Sequence, residues 1–198
     1  TSLLAEPLGP SLGIQAQLPI LLAEYPFRTQ QDIADYLHLL QDLPHYFSDL
    51  IALEQEKSRQ GVFQNDLAVD GIIRQCNAFL ADADTPESHL LHTVFQNKLQ
   101  ASSLFSEAER NLCLQTHEKL LISCVFPAYR SLSDALSSLR GKGTQNAGGL
   151  SRQEGGLSYY AYLLRSRVGV DASPEELTRL LTQQLADQCA EMQIILDQ

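Results

Sequence analysis

Apolar residues recur at three- and four-residue intervals along almost the whole chain. That period lines them up on one face of a helix, so the fold class expected from sequence is all-α. Start and stop signals divide the pattern. Thr29-Gln30-Gln31-Asp32 reads as a capping box ahead of Ile33, Leu37 and Leu40. Pro44 suits the first turn of a second helix, with Phe47, Leu50 and Ile51 on its apolar face and Gly61 as its stop. Asn65 can cap a third, carrying Ile72, Ile73, Cys76, Phe79 and Leu80. Thr85-Pro86-Glu87 opens a shorter fourth with Leu91 and Phe95.

A second capping box, Ser106-Glu107-Ala108-Glu109, starts the longest pattern, which runs through Cys113, His117, Leu121, Cys124, Ala128, Leu132, Leu136 and Leu139. Pro127 interrupts it and predicts a kink near residues 123 to 126. The apolar register survives across the proline, which favours one kinked helix over two. Six glycines between Gly141 and Gly156, set among Ser, Thr, Gln and Asn, predict a mobile loop over 141–156. A helical pair follows. Leu157 to Val168 ends at Gly169, and Ser173-Pro174-Glu175-Glu176 starts a last helix with Leu177, Leu181, Leu185, Met192 and Ile195 on its face. No internal repeat and no heptad run long enough for a coiled coil is seen. The expectation is a multi-helix array of about seven helices: residues 1–140, the loop 141–156, and a C-terminal pair 157–198 packed on the same domain.

Charge narrows the function classes. The 198 residues carry 24 acids and 14 bases, a net charge of −10, with 44% hydrophobic and 19% charged residues. That is a globular balance, not a disordered one. It excludes a nucleic-acid module and a basic membrane-surface module, both of which need clustered Lys and Arg. No apolar run is long enough to span a bilayer. The chain opens directly into Leu3-Leu4 and closes just after Ile194-Ile195-Leu196. Both ends read as cut, as if from a longer parent. The compartment is left open, and an exported or lipoprotein-anchored parent is compatible with the sequence.

Several residues invite chemistry. Cys76, Cys113, Cys124 and Cys189 form no CxxC, and each lies in an apolar stretch, so each is expected to be a buried thiol, with one disulfide open to an exported parent. His117-Glu118 fails as a zinc helix because HExxH would need His where Leu121 stands. His117 is expected to be a partly buried helix-face residue. His89 and His92, with Asp82, Asp84 and Glu87 upstream, could sit near one ion, yet lack a third ligand and are expected to be solvated. His38 and His45 suggest nothing together. Gly141-Lys142-Gly143-Thr144 lacks the spacing of a phosphate loop. The most unusual cluster is Tyr159, Tyr160, Tyr162 and Arg165. Either the rings pack in a core with hydroxyls at its rim, or phenols and guanidinium face a cleft and hold a polar or anionic ligand. No residue set for catalysis or for metal binding can be read.

The order of motifs carries a resemblance. Leu12-Gly13-Ile14-Gln15-Ala16-Gln17-Leu18-Pro19 is followed by Tyr25-Pro26-Phe27-Arg28-Thr29, Asp35-Tyr36-Leu37 and Leu43-Pro44-x-Tyr46-Phe47-x-x-Leu50. Then come Val125-Phe126-Pro127-Ala128-Tyr129-Arg130-x-Leu132, Gly156-x-x-Tyr159-Tyr160-x-Tyr162-Leu163-Leu164-Arg165 and Asp171-x-Ser173-Pro174-Glu175-Glu176-Leu177. This series resembles the bacterial domain-of-unknown-function family 885 over nearly the whole chain. Members carry HExxPGH downstream of the Ser-Pro-Glu-Glu helix. The resemblance therefore implies a parent that is a zinc metallopeptidase of the helical gluzincin kind, with zinc as its cofactor and a peptide as its substrate. No residue here matches a zinc ligand or the catalytic Glu. Two readings stand: a non-catalytic N-terminal helical portion that shapes the substrate cleft, or a helical binding or scaffold module with no enzymatic role. A helical ligand-binding domain unconnected to proteolysis is a third. The partner implied is the remainder of the parent chain. Apart from the resemblance, the uncapped apolar end of the last helix leaves two readings for Leu185, Met192, Ile195 and the face of Leu157 to Leu164: a surface that pairs with a second copy in a homodimer, or part of the domain's own core.

Overall fold

A computed structural model describes residues 3–143 and 149–197. Among these the chain is all-α, with no strand. The helices are α1 (Ile14–Glu24), α2 (Gln30–Arg59), α3 (Asp66–Phe79), α4 (Leu90–Ala101), α5 (Glu107–Leu120), α6 (Phe126–Leu139), α7 (Gly156–Leu163) and α8 (Pro174–Leu196). A π-turn, Leu121–Val125, joins α5 and α6 into one continuous rod, so the described residues form seven helical rods. The chain divides into two compact units, Thr1–Ala147 and Gly148–Gln198.

The caps act where the sequence places them. The Thr29 hydroxyl accepts from the Asp32 amide and the Asp32 carboxylate accepts from the Thr29 amide. Ser106 and Glu109 repeat the arrangement for α5. Asn65 caps α3 and Ser173 caps α8. Each cap satisfies an amide that the first helical turn leaves free, worth about 1 kcal/mol.

Four local readings change. Residues 14–24 form α1, which has no side-chain cap and contains Pro19, so it gives no start signal. Pro44 does not begin a helix; it lies inside the 30-residue α2. The reason is packing. Ile33, Tyr36, Leu40, Leu43, Phe47 and Leu50 line one buried face on both sides of it. Burying such a side chain contributes roughly 1.5–3 kcal/mol, so six of them outweigh a cost of about 3 kcal/mol for one interior proline. Thr85-Pro86-Glu87 yields only a 3₁₀ turn, Pro86–Ser88, and α4 starts after His89, whose ring accepts from the Leu91 amide. Within the expected 141–156 loop, residues 144–148 lie outside the described residues, while Gly149–Arg152 forms a 3₁₀ turn.

The core of the first unit sits where α2 and α3 pack against α6. Prolines shape it. Pro19 has no N–H to give the Gln15 carbonyl one turn before it, and the buried Tyr129 hydroxyl donates to that oxygen instead, at 3.0 Å. Pro127 falls just after the π-turn, where the Phe126 amide bonds back five residues to the Leu121 carbonyl. The widened turn absorbs the missing proline bond without ending the helix. A buried ion pair, Lys57 to Glu54 at 3.5 Å, lies under the N-terminal segment. Lys57 also donates to the Ala5 carbonyl at 3.1 Å, and burial pushes the Glu54 carboxyl up.

In the second unit α7 runs into a π-turn, Leu164–Val168, and stops at Gly169, whose φ of +76° suits glycine. Leu164 is its one buried large apolar side chain among the described residues. No residue of α8 is buried.

Candidate functional site

Two clusters of chemically capable side chains stand out, one in each unit. In the first, α4 and α5 bring His89, His92 and His117 together, and α2 adds Tyr36. All three histidines are buried, which corrects the expectation that His89 and His92 are solvated and that His117 is only partly covered. The cause is aromatic packing. The His117 ring stacks on Phe95 with centroids 4.2 Å apart and planes 6° from parallel, and on Tyr36 at 5.7 Å. Phe27 meets Tyr36 and Phe95 edge-on.

Hydrogen bonds fix these rings. The Tyr36 hydroxyl lies 3.2 Å from His117 Nε2. His89 accepts from the Leu91 amide at Nδ1, so its Nε2–H donates to the Phe79 carbonyl at 3.0 Å. Nδ1 of His92 and of His117 are buried without a hydrogen-bond partner among the described residues. Their ring centroids are 6.0 Å apart. Burial holds the His117 imidazole down to about 3, and His92 and His89 push the same way. Burial also lowers His89. Both are therefore neutral at pH 7.

Zinc needs three or four converging N, S or O ligands. Both ring nitrogens of His89 are engaged, and His117 stacks on Phe95 with its Nε2 taken by the Tyr36 hydroxyl. Among the described residues no three His, Cys, Asp or Glu gather to hold an ion. The residues present do not fit a zinc site, and the cluster serves as core. One sequence signal for this was His117 itself, four residues from both Cys113 and Leu121 on the apolar stripe. Its partners Tyr36 and Phe95 come from other helices, which periodicity does not pair.

The second cluster holds the sequence candidates Tyr159, Tyr160, Tyr162 and Arg165. Tyr159 and Tyr162 share a helix face, with rings 6.0 Å apart and 26° from parallel. Tyr159 is half-buried, while Tyr160 and Tyr162 are exposed. Arg165 is exposed and lies 3.8 Å from Asp171. His38 and His45 are exposed on α2, His45 at 3.9 Å from Asp49. All four cysteines are thiols: Cys76 is buried, burial lifting it to about 12, but Cys189 is exposed, against expectation, because α8 buries no face. Leu185, Met192 and Ile195 are exposed for the same reason. No described helix is long and apolar enough to cross a membrane.

Comparison with known proteins gives a fold relative. The crystal structure described as "the putative lipoprotein from Colwellia psychrerythraea" matches with a TM-score of 0.78 at 18% identity. The match covers 91% of this chain and 31% of that one, so the chain spans about a third of that protein's length. No curated protein matches. Residues 4–198 match the family described as "Bacterial protein of unknown function (DUF885)", and with nearly the whole chain covered, the protein belongs to that family.

Proposed function

We propose that this chain is the non-catalytic helical portion of a longer protein of the zinc-metallopeptidase type, that it shapes that protein's substrate cleft, and that it is inactive alone. One observation carries the first part: a match that takes in 91% of this chain takes in only 31% of the solved protein. The peptidase part rests on the ordered motifs, whose resemblance puts the zinc motif downstream of Ser173-Pro174-Glu175-Glu176. Tyr160, Tyr162 and Arg165 are the groups offered to a peptide. The two phenols are exposed, and the ion pair of Arg165 with Asp171 is loose enough for a substrate carboxylate to replace it. Tyr159 steadies Tyr162 by stacking.

The test compares the purified chain with the longer protein of a bacterium that encodes both parts. Expected are bound zinc and hydrolysis of a peptide library in the longer protein only, and a raised KM with little change in kcat for Arg165→Gln. Hydrolysis by the isolated chain would overturn the reading. A longer protein with neither zinc nor hydrolysis would replace it with the second one, a helical binding or scaffold module.

A further inference from the structure

Helix α2 has two seams. The buried one runs through Ile33, Tyr36, Leu40, Leu43, Phe47 and Leu50. Beside it runs a second: Asp35, Leu39, Asp42, Tyr46 and Asp49, all exposed. Their spacing is four, three, four, three, which keeps one line of a helix facing a neighbouring helix. Between this line and α1 lies an open groove of about 390 Å³, floored by Ile14, Leu18 and Leu21 of α1 and by Leu39, Leu43 and Tyr46 of α2. Leu21 and Leu39 are 61% and 47% exposed, so the floor is in water. Asp42 is the one charged residue of the lining. Asp35 and Asp49 stand one heptad to either side of it, ~10 Å each way along the helix. Among the described residues neither has a Lys or Arg partner: Asp35 accepts from the Gln31 amide and Asp49 faces His45.

We propose that this groove docks a basic amphipathic helix of a partner protein, about four turns long, with apolar residues on the floor and Lys or Arg opposite Asp35, Asp42 and Asp49. Length follows from the acid row, which spans fourteen helical steps from Asp35 to Asp49, or ~21 Å. Sign follows from charge. Three carboxylates in line beside an apolar floor disfavour an acidic helix and give a basic one its register. A second copy of this chain is a poor occupant. Its exposed helix, α8, offers Arg179 against Glu175, Glu176, Asp187 and Glu191. Burial of the floor drives docking, as in other helix-in-groove recognition, and the aspartates select the partner.

The probe is a fluorescein-labelled synthetic helix with Leu at the seam positions and Lys at the flanking heptad positions, measured by anisotropy against the full chain. A matched peptide with Glu for Lys is the control. Saturable binding of the Lys peptide is expected, weakened at least tenfold by Asp35→Asn/Asp42→Asn/Asp49→Asn and by raising salt from 0.05 to 0.5 M. The Glu peptide should not bind. The triple variant changes only exposed residues, and circular dichroism verifies its fold. Equal binding of both peptides, an unaffected triple variant, or no binding of the Lys peptide overturns the proposal. So does a chain that sediments as a dimer and becomes monomeric on Leu39→Glu, which assigns the groove to a second copy.

Discussion

An imidazole with no exposure, packed against Phe95 and Tyr36 and near two other histidines, has no carboxylate acting on it, among the described residues, to balance a positive charge. His117 must therefore stay neutral while the chain is folded, and it is free to protonate once the chain unfolds. With a folded value near 3 against an ordinary 6.5, the unfolded state binds more protons throughout that interval. Stability is then full above pH 6.5 and is lost as pH falls through the window, at about 1.4 kcal/mol per pH unit for one proton. His89, also lowered, adds to the slope, while Glu54, raised, opposes part of it. Urea unfolding of the protein and of His117→Phe at pH 7.5, 6 and 5 isolates the contribution. The variant loses the Tyr36 contact at every pH, but its stability should fall less steeply on acidification, by nearly one proton's worth. Parallel slopes would show that His117 does not titrate this way. None of this was legible from the sequence alone. The spacing places His117 on an apolar stripe, but its environment is built from residues 22 and 81 positions away.

Elements were legible in proportion to their capping chemistry. Thr29, Asn65, Ser106 and Ser173 each start a helix where the side chain allows it, because the free amides of a first turn are a local problem with a local solution. Prolines were harder to read. Pro19, Pro44 and Pro127 all lie within or at the seam of helical rods, and what keeps them there is tertiary: a Tyr129 hydroxyl, a buried face and a π-turn. Pro127 is directly testable. Replacing it with Ala restores an amide, so helix content by circular dichroism should stay level or rise. The melting temperature should rise too, within the ~3 kcal/mol that an interior proline costs, provided the widened turn can relax. A lower melting temperature would mean that Pro127 holds the turn open for the packing around Val125 and Phe126.

At the scale of the molecule, the buried apolar side chains are unevenly shared. Those of the main core lie between Leu8 and Leu139, and Leu164 alone represents the second unit among the described residues. A fragment comprising residues 1–147 should therefore fold by itself, with one cooperative urea transition. Residues 148–198 should be only partly helical in water, since a single capped helix of 23 residues without a buried face is marginal. A non-cooperative transition in the first fragment would count against that division. The all-α class was open to reading because most rods are amphipathic or capped, whereas the count of seven agrees because the unread α1 offsets the reading of α2 as two helices. The site was not legible. Tyr159, Tyr160, Tyr162 and Arg165 are visible as letters, but that Tyr160, Tyr162 and Arg165 are exposed while Tyr159 is half-buried is set by packing that spacing does not specify.

The π-turn at Leu121–Val125 also bears on how much length this rod can lose. A turn that closes over five residues holds one more residue than an α-turn does, so the rod carries a residue of slack at that point and nowhere else along α5 and α6. Deleting exposed Ser123 should draw the turn into ordinary α geometry and leave the faces before and after it nearly in phase. Deleting exposed Ser131, inside α6, would rotate everything beyond it by about 100° and carry Leu132, Leu136 and Leu139 out of the core. The two single-residue deletions, equal in composition and only eight positions apart, should thus differ sharply in soluble yield. That contrast identifies the wide turn as the place where the rod tolerates a change of length.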